Sequence, residues 1–90
     1  MLLGDSSMLV GTVIDKRNVT PLSYVAINIL GTKISIATDT LGRFSLKIPT
    51  GKYRIQALGI GYTDLYTKEI TFKSNERVVI DFYLGTTIIE

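Results

Sequence analysis

The sequence predicts an all-β fold, a seven-stranded antiparallel Greek-key sandwich, on three observations. Twelve Ile, eleven Thr, six Val, five Tyr and three Phe stand against only three Ala among the 90 residues, an inventory that favours pleated strands over helices. Apolar and polar residues alternate with a period of two along a series of short runs. Glycine, proline and Asx-type turn signals separate those runs, the spacing expected of a sandwich or barrel.

Seven runs follow in order. The first, Met8 to Asp15, ends in polar Lys16-Arg17-Asn18 and is closed by Thr20-Pro21, read as a turn because proline cannot hold a central ladder position. The second, Tyr24 to Leu30, sets Val25, Ile27 and Ile29 on one face and Ala26 and Asn28 on the other, until Gly31-Thr32 breaks it. The third, Lys33 to Thr38, repeats the pattern with Ile34 and Ile36. Asp39 then opens an Asx-type turn, and Gly42 supplies the positive φ that reverses the chain. In the fourth, Arg43 to Ile48, Phe44, Leu46 and Ile48 face inward while Arg43, Ser45 and Lys47 face water. Pro49-Thr50-Gly51 turns the chain into the fifth, Lys52 to Leu58, with Tyr53, Ile55 and Ala57 inward and Lys52, Arg54 and Gln56 outward. Gly59-Ile60-Gly61 ends it as a bulge or corner. The sixth, Leu65 to Phe72, alternates less regularly and leads into the polar loop Lys73-Ser74-Asn75-Glu76. The seventh, Arg77 to Leu84, places Val78, Ile80, Phe82 and Leu84 inward. One domain over residues 8–84, with 1–7 and 85–90 as flexible ends, accounts for the whole chain, and nothing repeats at a fixed period.

Composition narrows the function. A domain of this length has one thin core and little room for a deep cleft. The absence of Cys and His removes disulfides, thiolate metal sites, the commonest metal ligand and the commonest general base near neutral pH. The expectation is a non-enzyme with no cofactor and no metal. A net charge of +2, spread along the chain, makes no basic block for nucleic acid. No apolar run reaches the ~20 residues of a membrane-spanning helix. The opening Met1-Leu2-Leu3-Gly4-Asp5 lacks the form of an export signal, and the polar lead to Ser7 suits a piece excised from a longer protein.

Individual residues carry few sharp readings. The Asp39 turn brings a single carboxylate where Ca²⁺ would need six to eight oxygens, so it reads as structure. Asp15, Asp64, Glu69, Glu76 and Asp81 read as acids on solvated strand faces, without the cleft a glycosidase pair requires. Lys33, Lys47, Lys52, Arg43 and Arg54 fall on outward phases and read as a solvated face with edge protection. Asn18-Val19-Thr20 fits a glycosylation triplet but is followed by proline and reads as a chance match. Tyr53 falls on an inward phase. Tyr24, Tyr66 and Tyr83 fall on phases shared with polar residues, and these three are the candidate interaction surface, for a protein before a glycan.

Taken in order, Gly11-Thr12-Val13-Ile14-Asp15, Thr20-Pro21-Leu22-Ser23-Tyr24-Val25-Ala26-Ile27, Gly31-Thr32, Thr38-Asp39-Thr40-Leu41-Gly42-Arg43-Phe44-Ser45-Leu46, Ile48-Pro49-Thr50-Gly51-Lys52-Tyr53 and Gly59-Ile60-Gly61-Tyr62 form a series. It resembles the carboxypeptidase regulatory-like domain family, which implies a transthyretin-like (prealbumin-like) seven-stranded sandwich, over about Val10 to Leu84. Tyr24, where many relatives carry a small residue, and Asn18-Val19, where many carry a second glycine, depart from its pattern. The Gly-Tyr ending resembles the variety found at the periplasmic N-terminus of TonB-dependent outer-membrane receptors, including glycan importers. Gly85-Thr86-Thr87-Ile88-Ile89-Glu90 resembles the start of the lead-in to the TonB-interacting segment. The resemblance implies a non-catalytic accessory domain on the periplasmic side of the outer membrane, with the receptor plug or barrel or a TonB-type envelope protein as partner. A carbohydrate-binding or adhesion module, and a regulatory domain appended to a peptidase, are the alternatives.

Overall fold

The computed structural model describes residues 6–86. Of the predicted ends 1–7 and 85–90, residues 1–5 and 87–90, and with them most of the lead-in, lie outside the described residues. Those described form strands and no helix.

The first predicted run is β1 (Ser6–Asp15), which starts two residues early because Ser7 is buried and donates its hydroxyl to the Glu76 carbonyl at 2.9 Å. Thr20–Pro21, expected only as a turn, is a short strand, β2, paired to the end of β1. The second and third runs are β3 (Ala26–Ile29) and β4 (Ser35–Ala37), and the fourth is β5 (Arg43–Pro49). The fifth splits at Arg54 into β6 (Gly51–Tyr53) and β7 (Ile55–Leu58). The sixth splits into β8 (Leu65–Tyr66) and β9 (Ile70–Phe72), and the seventh into β10 (Arg77–Val79) and β11 (Phe82–Leu84).

Each split has a side chain in the ladder. The Thr67 hydroxyl accepts the Ile55 N–H at 3.0 Å, so the chain leaves the β6–β9 pair and enters the β3–β7 pair at Arg54. At Ile80-Asp81 the Asp81 carboxylate accepts the Thr12 N–H at 3.1 Å and the Thr12 hydroxyl at 2.9 Å, in place of a ladder carbonyl.

β1 is the centre of one sheet. It pairs antiparallel with β5 (Leu9 opposite Leu46) and β2, and parallel with β10 and β11 (Leu9 opposite Val78, Val13 opposite Phe82). The purely antiparallel expectation is thereby corrected. Alternation reports which face a residue takes, and that is the same whichever way the neighbour runs. Gly11 lies on the inward phase between Leu9 and Val13, where a Cβ would sit 1.7 Å from the Ile80 carbonyl oxygen and 2.9 Å from the Phe44 ring. Only glycine lets the last strand lie this close to the first.

The second sheet runs β4-β3-β7-β8, all antiparallel, and β6–β9 prolongs it past Arg54 as a separate two-stranded ribbon. The inward faces meet in one core: Leu9, Val13, Phe44, Ile48, Phe82 and Leu84 from the first sheet, Val25, Ile27, Ile29, Ile55 and Ala57 from the second, and Phe72 from the ribbon. Each fully buried aliphatic side chain contributes roughly 1.5–3 kcal/mol of burial. Phe44 stacks obliquely on Phe82 at 6.1 Å, and Tyr53 on Phe72 at 5.9 Å, so Tyr53 takes its predicted inward place.

The outer face of the second sheet is tied by directly opposed polar residues. Ser35 donates to Asn28 (2.7 Å), Asn28 to Gln56 (2.8 Å) and Gln56 to the Tyr66 hydroxyl (3.0 Å), one bond across each of its three strand junctions.

Candidate functional site

The candidate site gathers at the end where β1 stops. Asp15 closes β1 on the inward phase, 4% exposed. Its Oδ1 accepts the N–H groups of Arg17 (2.7 Å) and Asn18 (3.1 Å), which folds the chain back, and its Oδ2 accepts the Tyr62 hydroxyl at 2.7 Å. The Tyr62 hydroxyl, then the two amides, hold the Asp15 carboxyl below the usual carboxylate range; the same bond pushes the Tyr62 phenol up. Asp15 is thus corrected from a solvated acid to a buried brace. Its charge outweighed its phase in the sequence reading, although it stands two residues beyond Val13 on the same face.

Tyr62 arrives there through a tight turn in which its N–H bonds the Gly59 carbonyl at 3.1 Å and Gly61 takes φ 84°. Gly59 packs against the core while Ile60, at the apex, is 102% exposed. Thr63 N–H then bonds the Gly85 carbonyl at 2.8 Å, so this loop and residues 85–86 are joined.

The neighbouring loop holds Tyr24. Its backbone is left-handed, φ 61°, a conformation that is costly for an aromatic residue. Thr38 imposes it: its carbonyl accepts the Tyr24 N–H (3.0 Å), and its buried hydroxyl accepts the Val25 N–H (3.0 Å) while donating to the Leu22 carbonyl (2.6 Å). The result is a ring 77% exposed. Tyr24 and Ile60, with Leu22 and Tyr62 at their base, flank a shallow hollow of about 150 Å³ lined without any charged side chain.

A larger open groove of about 630 Å³ is lined by Lys16, Arg17, Asp64, Leu65, Tyr83 and Thr86. Tyr83 lines it, half exposed. Tyr66 belongs to neither hollow: it sits on the outer face of the second sheet with the Arg54 guanidinium 5.6 Å from its ring centre. The three predicted tyrosines therefore do not form one platform. The Asp39 turn is as expected, with Oδ1 accepting from Leu41 and Arg43 N–H at 2.9 Å each and Arg43 Nε 3.4 Å from Oδ2. Gly42 has the positive φ the turn requires. Sequence reasoning missed Ile60, whose only signal is an apolar residue isolated between two glycines.

Comparison with known proteins places this geometry. Residues 9–90 match the CarboxypepD_reg-like domain, the carboxypeptidase regulatory-like family. No curated protein matches the chain. Among solved structures it is similar to a chain of a type II cohesin–X-dockerin complex from Acetivibrio cellulolyticus, with a TM-score of 0.76 and 16% identity, over 89% of this chain and 58% of that one. It is similar to 3-chlorocatechol 1,2-dioxygenase from Rhodococcus opacus 1CP at 0.70 and 14%, over 94% of this chain and 62% of that one. A protein from Bacteroides uniformis described as carbohydrate binding matches at 0.64 and 14%, over 87% of this chain and 40% of that one. At such identities the likeness is one of fold, and the chain spans less than two thirds of each.

Proposed function

This chain belongs to the carboxypeptidase regulatory-like domain family, and on that premise we propose that it is a non-catalytic interaction module, the N-terminal extension domain of a TonB-dependent outer-membrane receptor for nutrients of the glycan type. It works on the periplasmic side of the outer membrane and docks a protein partner, the receptor plug or a TonB-type envelope protein. The observation that carries the docking role is the pair Tyr24 and Ile60. One ring is held in solvent by a strained backbone, one aliphatic side chain is fully exposed at a turn apex, and both stand on a base braced by Asp15 and Tyr62. A rigid aromatic and an aliphatic anchor flanking an uncharged hollow is the composition of a protein-binding hot spot. The receptor assignment rests on the series of motifs from Gly11 to Tyr62 and on family membership.

The carbohydrate-binding reading has its own support in Tyr83 beside polar Thr63, Asp64 and Thr86. Calorimetric titration of the domain and of its Ile60→Asp variant with the periplasmic domain of TonB and with the receptor plug tests the first reading. Losing the burial of one isoleucine weakens binding by about ten- to a hundredfold. Equal affinity of variant and parent for whichever protein binds would remove Ile60 from the interface.

A further inference from the structure

The strand formed by β10 and β11 is an edge. β1 pairs with it on one side, and no strand among the described residues pairs with β10 or β11 on the other. The edge closes only beyond Leu84, where Thr63 bonds Gly85. Toward β1 this strand uses the Glu76 carbonyl, bonded by Met8 N–H, and the Ile80 N–H, bonded to the Val10 carbonyl, each at 2.9 Å. Alternation therefore turns the N–H and C=O groups of Arg77, Val79 and Asp81 away from β1.

The opposite edge of the sheet, β5, carries Arg43 and Lys47 on its outward phase. Two copies meeting there would set cation against cation, the usual guard of a free edge. The β10 edge lacks that guard. Its segment Arg77-Val78-Val79-Ile80-Asp81 has a cation at one end, a carboxylate at the other and three β-branched residues between, and Val79 is 63% exposed. This segment is complementary to itself. When an antiparallel copy is centred on Val79, Val79 faces Val79, and each Arg77 faces the Asp81 of the other copy. All three pairs consist of residues whose backbone groups point outward, so every pair is a hydrogen-bonded one. Sliding the register by two sets Val79 against Asp81 and Arg77 against Tyr83, and both ion pairs are lost. Thr12 already fixes Asp81 through Oδ1, and a carboxylate accepts at both oxygens.

We infer that the β10 edge is a self-association site, at which a second copy of this chain adds in antiparallel register about a two-fold axis through Val79. The pairing is short, so the dimer is weak and depends on concentration. The chain has no cysteine, which makes a single engineered one decisive. Opposed residues of a hydrogen-bonded pair have Cα atoms ~5.5 Å apart, within the span of a disulfide. Under mild oxidation Val79→Cys becomes a covalent dimer, whereas Leu41→Cys, on an equally accessible turn, stays monomeric. Failure of Val79→Cys to cross-link, or equal cross-linking of both, overturns the site.

Sedimentation velocity supplies a second test. Arg77→Asp and Asp81→Arg each weaken the dimer by about tenfold, and an equimolar mixture restores it because both pairs again carry opposite charges. Parent protein that stays monomeric up to about 1 mM, or a mixture no tighter than its components, overturns the register. Should Asp81→Arg unfold through loss of the Thr12 contact, the cysteine pair decides alone.

Discussion

Replacing Gly11 by alanine adds one methyl group at the tightest of the described glycine positions. The new Cβ would lie 1.7 Å from the Ile80 carbonyl oxygen, 2.7 Å from the carbonyl carbon and 2.9 Å from the Phe44 ring. Backbone must move by at least about 1.3 Å to bring the closest contact up to 3.0 Å, below which real Cβ contacts essentially do not fall. Two obstacles are main-chain atoms of a paired strand, so no rotamer change relieves them. The retreat of Ile80 costs about 1–3 kcal/mol of overpacking. It also disturbs the Ile80–Val10 ladder bond and the two bonds from Thr12 to Asp81, at roughly 0.5–1.5 kcal/mol each. The expected loss is about 3–7 kcal/mol, a large share of the ~5–13 kcal/mol available to a domain of this size. At ~4–8 °C per kcal/mol, Tm falls by at least about 12 °C. Thermal and urea unfolding followed by far-ultraviolet circular dichroism measure it. A Gly11→Ala protein that melts within about 3 °C of the parent would refute the claim that the last strand is held against Gly11.

Tyr24→Asn replaces an aromatic residue in the left-handed region with one that tolerates it, so stability rises by roughly 0.5–1 kcal/mol while partner binding weakens; urea midpoints and titration against the same partner check the two directions. Tyr62→Phe tests the brace through pH. The lowered Asp15 pKa adds stability that is complete above the ordinary carboxylate value near pH 4 and is lost as pH falls below it. The raised Tyr62 pKa adds stability that is complete below about pH 10 and is lost as pH rises further. The variant therefore shows a shallower alkaline fall and a reduced acid fall. The acid fall does not vanish, because the amides of Arg17 and Asn18 still hold Asp15 and those of Arg43 and Leu41 still hold Asp39. Urea midpoints across the pH range check this, and an alkaline limb as steep in the variant as in the parent contradicts it.

Much of the sandwich was legible because burial follows a period of two. Val25, Ile27 and Ile29, Phe44 and Ile48, and Phe82 and Leu84 all reach the core from the faces that alternation assigns them. Periodicity is silent on which strand lies beside which and in what direction, so the parallel placement of Arg77–Leu84 against β1 had no local signature. The splits at Arg54 and Ile80-Asp81 depend on side chains, Thr67 and Asp81, that reach a ladder from elsewhere in the chain. At the candidate site, phase correctly exposed Tyr24, Tyr66 and Tyr83 but could not tell that they lie in three separate places. The left-handed backbone of Tyr24 was hidden because it is set by Thr38, fourteen residues on, and not by any preference of tyrosine. Asp15 was misread because a buried carboxylate requires a partner, and Tyr62 is forty-seven residues away.

The docking claim meets its most direct test in an NMR titration of the ¹⁵N-labelled domain against the periplasmic domain of TonB, the receptor plug and a panel of glycans. The account predicts shifts at residues 22–25 and 59–62 with a protein partner and none with sugars. Shifts confined to the surroundings of Tyr83 or Tyr66, produced by a glycan alone, would contradict it and make the domain a carbohydrate-binding module.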